Sequence, residues 1–290
     1  MKLGLHLPQL TWPNGPAALG PDLATVARAV DEAGFEYLSV MDHFFQISRY
    51  GPPEREMLEA YTTLGFLAAH TSRVKLLTLV SGVIYRHPGL LAKAVTTLDV
   101  LSGGRAILGI GAGWNEEESR GLGFRFPPLK ERFEQLEDAL RYVLQMWADG
   151  DDAFSGKHFE GERLLNSPQS LQRPHPPILI GGSGEKKTLR FVAQYADLCN
   201  LFPGPDLAHK LDVLKQHCDA VGRDYDEITK TVALWLDIGE NGEKTGQLLD
   251  ELGQLAELGI HAATGWIPGV PDPRVIEKFA TDVIPAAEKL

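Results

Sequence analysis

Only two cysteines, Cys199 and Cys218, occur in the 290 residues, too few for a disulfide framework and suited to a reducing compartment. Long apolar runs are missing as well: none approaches the ~18 residues needed to span a bilayer. Positive charge is scarce. With 28 basic against 39 acidic residues the net charge is −11, and no basic stripe offsets it, which argues against nucleic acid as a partner. The opening MKLGLHLPQL turns polar and proline-rich at once, unlike a signal peptide, so the reading is a cytoplasmic chain with no membrane partner. No carboxylates and histidines stand at metal-ligand spacing, and His-x-His does not follow the first apolar run, so no metal site is expected. A Gly-x-Ser-x-Gly elbow and a cysteine beside an obvious base are also lacking, which removes the common nucleophile arrangements.

What the chain does have is alternation. Short apolar runs at Leu3–Leu7, Tyr37–Met41, Val74–Val80, Ala106–Ile110, Ile178–Ile180, Leu198–Leu201, Thr231–Ile238 and His261–Trp266 read as strands covered on both faces. Between them lie amphipathic stretches with readable ends. Leu23, Val26, Ala27 and Val30 share a face before Gly34; Pro88 opens a helix that runs to Gly103; Phe133 to Trp147 carry a long apolar stripe; Thr245 opens another that stops at Gly259. Eight strands with crossover helices point to an α/β (β/α)8 TIM barrel, and a doubly wound sheet is the competing reading. No Pro/Ser linker splits the chain, so residues 1–290 read as a single domain. Phe44–Met57 and Asn115–Leu129 are long βα loops that belong on the C-terminal face, and Asp151–Pro177 is an irregular insertion before strand five.

Three segments carry candidate chemistry. Strand two ends in Asp42-His43, a carboxylate beside a histidine at the mouth, where a tuned acid/base would sit. Neighbouring strand residues face opposite ways, so Asp42 can equally cap a turn and His43 be a core histidine. Strand four ends in Gly109-Ile110-Gly111-Ala112-Gly113-Trp114-Asn115, where bare backbone admits a planar ligand or simply a bulge. Strand five runs into Gly181-Gly182-Ser183-Gly184 before a helix over Glu185–Ala196, an arrangement suited to an anion or to a tight turn. Strand three bends at Gly82, and His6 and His261 can reach a barrel interior. The Glu116-Glu117-Glu118 run reads as a solvated helix start. Trp12, Phe44, Phe45, Trp114 and Trp266 suggest an aromatic-lined pocket for a small-molecule substrate.

Taken in order, Leu7-Pro8-Gln9, Met41-Asp42-His43-Phe44, Arg86-His87-Pro88, Leu101-Ser102-Gly103-Gly104-Arg105, Gly109 to Trp114 and Ile180-Gly181-Gly182 resemble the bacterial luciferase-like monooxygenase superfamily. The Asp-His-Phe and Gly-Ala-Gly-Trp pieces are similar to its branch that uses the deazaflavin coenzyme F-420 (F420 in the names of its enzymes). The resemblance implies an oxidoreductase that exchanges hydride between F-420 and a small organic substrate. An FMN-dependent two-component flavin monooxygenase fed by a separate reductase is the first alternative, and a non-catalytic flavin- or ligand-binding barrel the second.

Residue by residue, the resemblance places Asp42 and His43 beside the reactive ring, with His43 moving the proton and Asp42 assisting it. It implies a non-prolyl cis peptide at Ser81–Gly82 or Gly82–Val83, so that Ser81, Gly82 and Val83 form a bulge behind the ring. Gly111, Gly113, Trp114 and Asn115 would line the ring and ribityl chain, and Gly181, Gly182, Ser183 and Gly184 would hold the phosphate. A homodimer is implied, with the helices after strands two to four as the interface. The chain lacks the basic cluster that a phosphorylated sugar would need, which argues against glucose-6-phosphate as substrate. Substrate choice is expected to rest on the loops 44–57, 115–129 and 151–177.

Overall fold

A computed structural model describes residues 1–290 and contains eight parallel barrel strands. They are β1 (Lys2–Leu7), β2 (Tyr37–Val40), β3 (Lys75–Thr78), β4 (Ala106–Gly111), β5 (Ile178–Gly181), β6 (Leu198–Leu201), β7 (Thr229–Trp235) and β8 (Ala262–Trp266). Each strand pairs with its sequence neighbour, β1 pairs with β8, and β3 pairs with β4 through Leu76↔Ala106 and Leu77↔Ile107. The sheet is therefore closed, as the strand pattern predicts, and the doubly wound alternative falls. Strands covered on both faces need no polar alternation, and β2 and β4 are buried at every position.

The crossover helices are α1 (Leu19–Ala33), α2 (Ala60–Ala68), α3 (Pro88–Ser102), α4 (Glu116–Gly121), α5 (Leu129–Trp147), α6 (Thr188–Tyr195), α7 (Leu207–Val221) and α8 (Thr245–Glu257). Their ends follow local chemistry. Helix α1 stops at Gly34, which takes the left-handed φ of 89° that a side chain would resist. Helix α3 opens with Pro88 behind His87, whose ring accepts from Gly89 N at 3.1 Å, and closes at Gly103 with φ 73°. Leu136, Leu140, Val143 and Trp147 of α5 are buried, each contributing roughly 1.5–3 kcal/mol by leaving water. None of the helices is long and apolar enough to cross a membrane.

Inside the barrel a layer of Tyr37, Leu77, Ile107, Leu179, Leu198 and Ala262 fills the lower half, with Leu79 and Val80 packed on it. The well above this plug is the space left for a site.

Four sequence expectations shift here. The helix after β5 starts at Thr188 rather than Glu185, and β7 ends at Trp235 rather than Ile238. The 151–177 insertion does precede β5, but it packs against the outside of α3 and α5 and lines neither chamber of the mouth. Its residues Phe154–Ser155 and Glu160–Gly161 form a short antiparallel hairpin beside Tyr142, and Gln172 bonds Asp99 and the Ala106 carbonyl, each at 2.7 Å. Loops that enter a strand lie at the foot of the barrel, so this segment is not placed to select a substrate. His261, for the same reason, lies at the foot of β8 and accepts from Lys230 N at 3.0 Å instead of reaching the interior.

Candidate active site

The C-terminal ends of all eight strands converge on two adjoining chambers of about 210 and 270 Å³. They share His43, Leu79, Trp114, Asn200 and Phe202 as a partition.

His43 stands at that partition. Its Nδ1 lies 2.5 Å from Glu118 Oε1, and Glu118 is fully buried. The second carboxylate oxygen accepts from the backbone N–H of Phe44 at 2.8 Å and of Phe45 at 3.1 Å, while the Tyr85 hydroxyl donates to Oε1. Burial pushes the Glu118 carboxyl up, but His43, Tyr85 and the Phe44 N–H together hold it below the usual range. Burial, and then the bond to Glu118, push the Tyr85 phenol in the opposite direction, so it remains a donor. With Nδ1 committed, Nε2 is the nitrogen left to act toward the chambers, and Trp114 meets the ring edge-on at 5.4 Å.

Two expectations are corrected by this arrangement. The Glu116–Glu118 run is not uniformly solvated. Asn115 caps α4 by accepting from Glu118 N at 3.4 Å, and from there the helical turn sends Glu118 inward. Asp42, in turn, does not assist His43. It points the other way, is 2% exposed, and takes both guanidinium nitrogens of Arg86, at 2.5 and 2.9 Å. Arg86 also reaches Glu59 at 2.5 Å and lies over the Tyr61 ring. Fork-to-fork pairing of this kind is the strongest geometry available to a carboxylate. Asp42 lines neither chamber, so it supports the loop rather than the ligand.

The first chamber is walled largely by backbone. The non-prolyl cis peptide is present at Leu79–Val80, not at Ser81–Gly82 or Gly82–Val83. Strand β3 has already ended at Thr78, and Ser81 and Gly82 instead pair with Ile110 and Gly111 of β4, which moves the bend two residues earlier than the glycine suggested. Ser81 and Gly82 line the chamber, together with Gly113, Trp114, Gly181 and Gly182. A Cβ at Gly82 would meet the Tyr85 ring at 2.9 Å, so glycine is required there by close approach. Val83, Gly111 and Asn115 support this wall without lining it: Val83 is 3% exposed, Gly111 packs on Val80, and Asn115 caps α4. Ser183 and Gly184 continue the rim from Gly182 toward α6, which starts without a side-chain cap.

His6 rises from β1 into the second chamber, its Nδ1 2.8 Å from Ser39 Oγ. Burial pulls its pKa from 6.5 to about 4, so the ring is neutral at pH 7. Below pH 6.5 the unfolded chain takes up a proton that the folded His6 refuses, and stability falls until about pH 4. Lowering the pH from 7 to 5 should cost about 2 kcal/mol through this group. Urea unfolding at both pH values will show a smaller acid loss in a His6→Gln variant than in the parent.

Of the aromatic residues expected in the pocket, Trp114 and Trp266 line it. Trp12 is core, Phe44 packs on Tyr85 and Phe124, and Phe45 covers Gly121. The remaining wall is Tyr50, Phe202 and Trp235, which a sequence reading overlooked although two of them sit at or just past strand ends.

A closed barrel with a backbone-walled chamber and an oriented histidine at its mouth defines an enzyme site for a flat ligand and a proton. The luciferase-like monooxygenase family model matches residues 1–265, and the chain belongs to that family. Among its relatives is the F420-dependent glucose-6-phosphate dehydrogenase of Kineococcus radiotolerans, 32% identical over 231 residues that cover 76% of this chain and 64% of that protein. Another is the FMNH(2)-dependent dimethylsulfone monooxygenase of Pseudomonas putida, 29% identical over 158 residues, 54% of this chain and 42% of that one. The chain thus spans less than two thirds of either relative's length. In fold it is similar to an F420-dependent secondary alcohol dehydrogenase solved with an F420–acetone adduct, with a TM-score of 0.80, 17% identity, and coverage of 99% of this chain and 98% of that one.

Proposed function

We propose that this chain is an oxidoreductase that exchanges hydride between coenzyme F-420 and a small organic substrate. The observation that carries the reading is the His43–Glu118 pair at the edge of the glycine-walled chamber. The residues fit such a group. Gly82, Gly113, Gly181 and Gly182 leave bare backbone where a tricyclic ring can approach, and the Gly181–Gly184 turn ahead of α6 would take the phosphate. When bound, the deazaflavin supplies hydride exchange at C5 of its central ring. His43 Nε2 accepts the proton of a substrate hydroxyl, or returns one to a carbonyl, while Glu118 holds the ring in place through Nδ1. Trp114 and Phe202 line the partition between the chambers.

The FMNH(2)-dependent relative supports a second reading, an FMN enzyme served by a separate reductase. A homodimer through α2 and α3 is part of the proposal, because Phe66, Leu90 and Leu101 leave apolar side chains exposed on those helices. Absorbance and fluorescence titration of the purified chain with F-420 and with FMN separates the readings. F-420 should bind at least tenfold more tightly. A reversed preference would transfer the assignment to FMN, and retention of neither would end both.

A further inference from the structure

The second chamber has a composition that the hydride reading does not use. Among the 16 residues that line it, Arg49 is the only one with a permanent charge, and there is no carboxylate. The other basic side chains on its wall are His6, neutral at the chamber floor, and His43, whose Nδ1 is committed to Glu118. The wall beside Arg49 is aromatic. Trp235 and Trp266 meet edge-to-face at 4.6 Å, and Tyr50 lies nearly parallel to Trp235 at 6.3 Å. The Arg49 guanidinium sits 5.5 Å from the Trp235 ring and 5.9 Å from Tyr50, a cation–π position. No ion pair or hydrogen bond within the chain uses its five N–H donors, whereas Arg86, from the neighbouring loop, is fully engaged by Asp42 and Glu59.

Arg49 is also presented, not left trailing. Its loop is pinned on both sides: Gln46 Nε2 donates to the Pro8 carbonyl at 3.0 Å, and Arg55 donates to the Tyr50 carbonyl at 2.8 Å. An exposed, unpaired guanidinium carried on this pinned loop, at the edge of an aromatic wall, matches the planar fork of a carboxylate. A phosphate monoester carries about −1.5 to −2 charges and would call for a second permanent cation, and Arg49 is the only one lining this chamber.

We infer that the second chamber receives a planar, apolar molecule ending in a carboxylate, its flat face on Trp235, Trp266 and Tyr50 and its anionic end on Arg49. This rests on the proposed function only in treating the second chamber as the substrate's; the binding itself does not need the cofactor. The probes are 2-naphthoate, its neutral amide and 2-naphthylmethylammonium, measured by equilibrium dialysis on the full-length protein with and without F-420.

Naphthoate should bind at least tenfold more tightly than the amide, and the ammonium probe should bind weakest. Arg49→Gln should erase the advantage of naphthoate while leaving amide binding in place, Arg49→Lys should keep part of it, and Trp235→Ala should weaken both probes. Retained amide binding shows that the Arg49→Gln chamber is folded. Equal affinity for acid and amide, an unchanged preference in Arg49→Gln, or tighter retention of glucose-6-phosphate than of naphthoate would overturn the inference. So would a loss of F-420 affinity in Arg49→Gln, which would assign Arg49 to the cofactor. Naphthoate selectivity in a protein that binds no F-420 would instead leave this inference standing and remove the cofactor assignment.

Discussion

Asp42→Ala should lower the free energy of unfolding by about 3–5 kcal/mol, because it strips a buried guanidinium of its bidentate partner. The Arg86 side chain is only 12% exposed, and Asp42 is the buried member of its two carboxylates, since the Glu59 side chain is 40% exposed. Glu59 cannot replace Asp42, because it reaches Arg86 from the solvent side. Urea denaturation followed by circular dichroism measures the loss. An Asp42→Asn/Arg86→Met double variant, which removes both charges, should recover more than half of it. If Asp42→Ala cost less than about 1 kcal/mol, within the range of a surface pair, the ion pair would not be holding the loop after β2.

His43→Ala should reduce turnover with F-420 and a hydroxyl or carbonyl substrate by about 10²–10⁴-fold, the range of a lost general acid–base group. F-420 affinity should remain within threefold, since the chamber wall is mostly backbone. Glu118→Gln tests positioning. It keeps the shape and one acceptor but loses the charged oxygen that fixes the His43 ring, so kcat should fall about tenfold while KM stays within threefold. Turnover unchanged in His43→Ala would remove this residue from the reaction. A Glu118→Gln loss that fell on KM rather than kcat would reduce Glu118 to packing.

The barrel was legible because covered parallel strands leave continuous apolar runs, and because Gly34, Pro88 and Gly103 mark helix ends by local conformational rules. The position of His43 at the mouth was legible for the same reason. Its partner was not. Asp42 is adjacent in sequence but on the opposite face of the strand end, whereas Glu118 is 75 residues away. Nothing local distinguishes Glu118 from Glu116 and Glu117, which α4 turns toward solvent; only the Asn115 cap fixes which of three identical side chains faces inward. The cis bond was misplaced by a comparable effect. Gly82 draws attention by composition, yet the bend falls at Leu79–Val80, where side chains rather than glycine meet the plug. Arg49 was unreadable because its meaning lies in which partners it lacks, and that requires all of its neighbours in space.

The layer of Tyr37, Leu77, Ile107, Leu179, Leu198 and Ala262 makes the barrel a blind shaft with one doorway. Both chambers therefore take their occupants from the same end of the barrel, on either side of the five side chains they share.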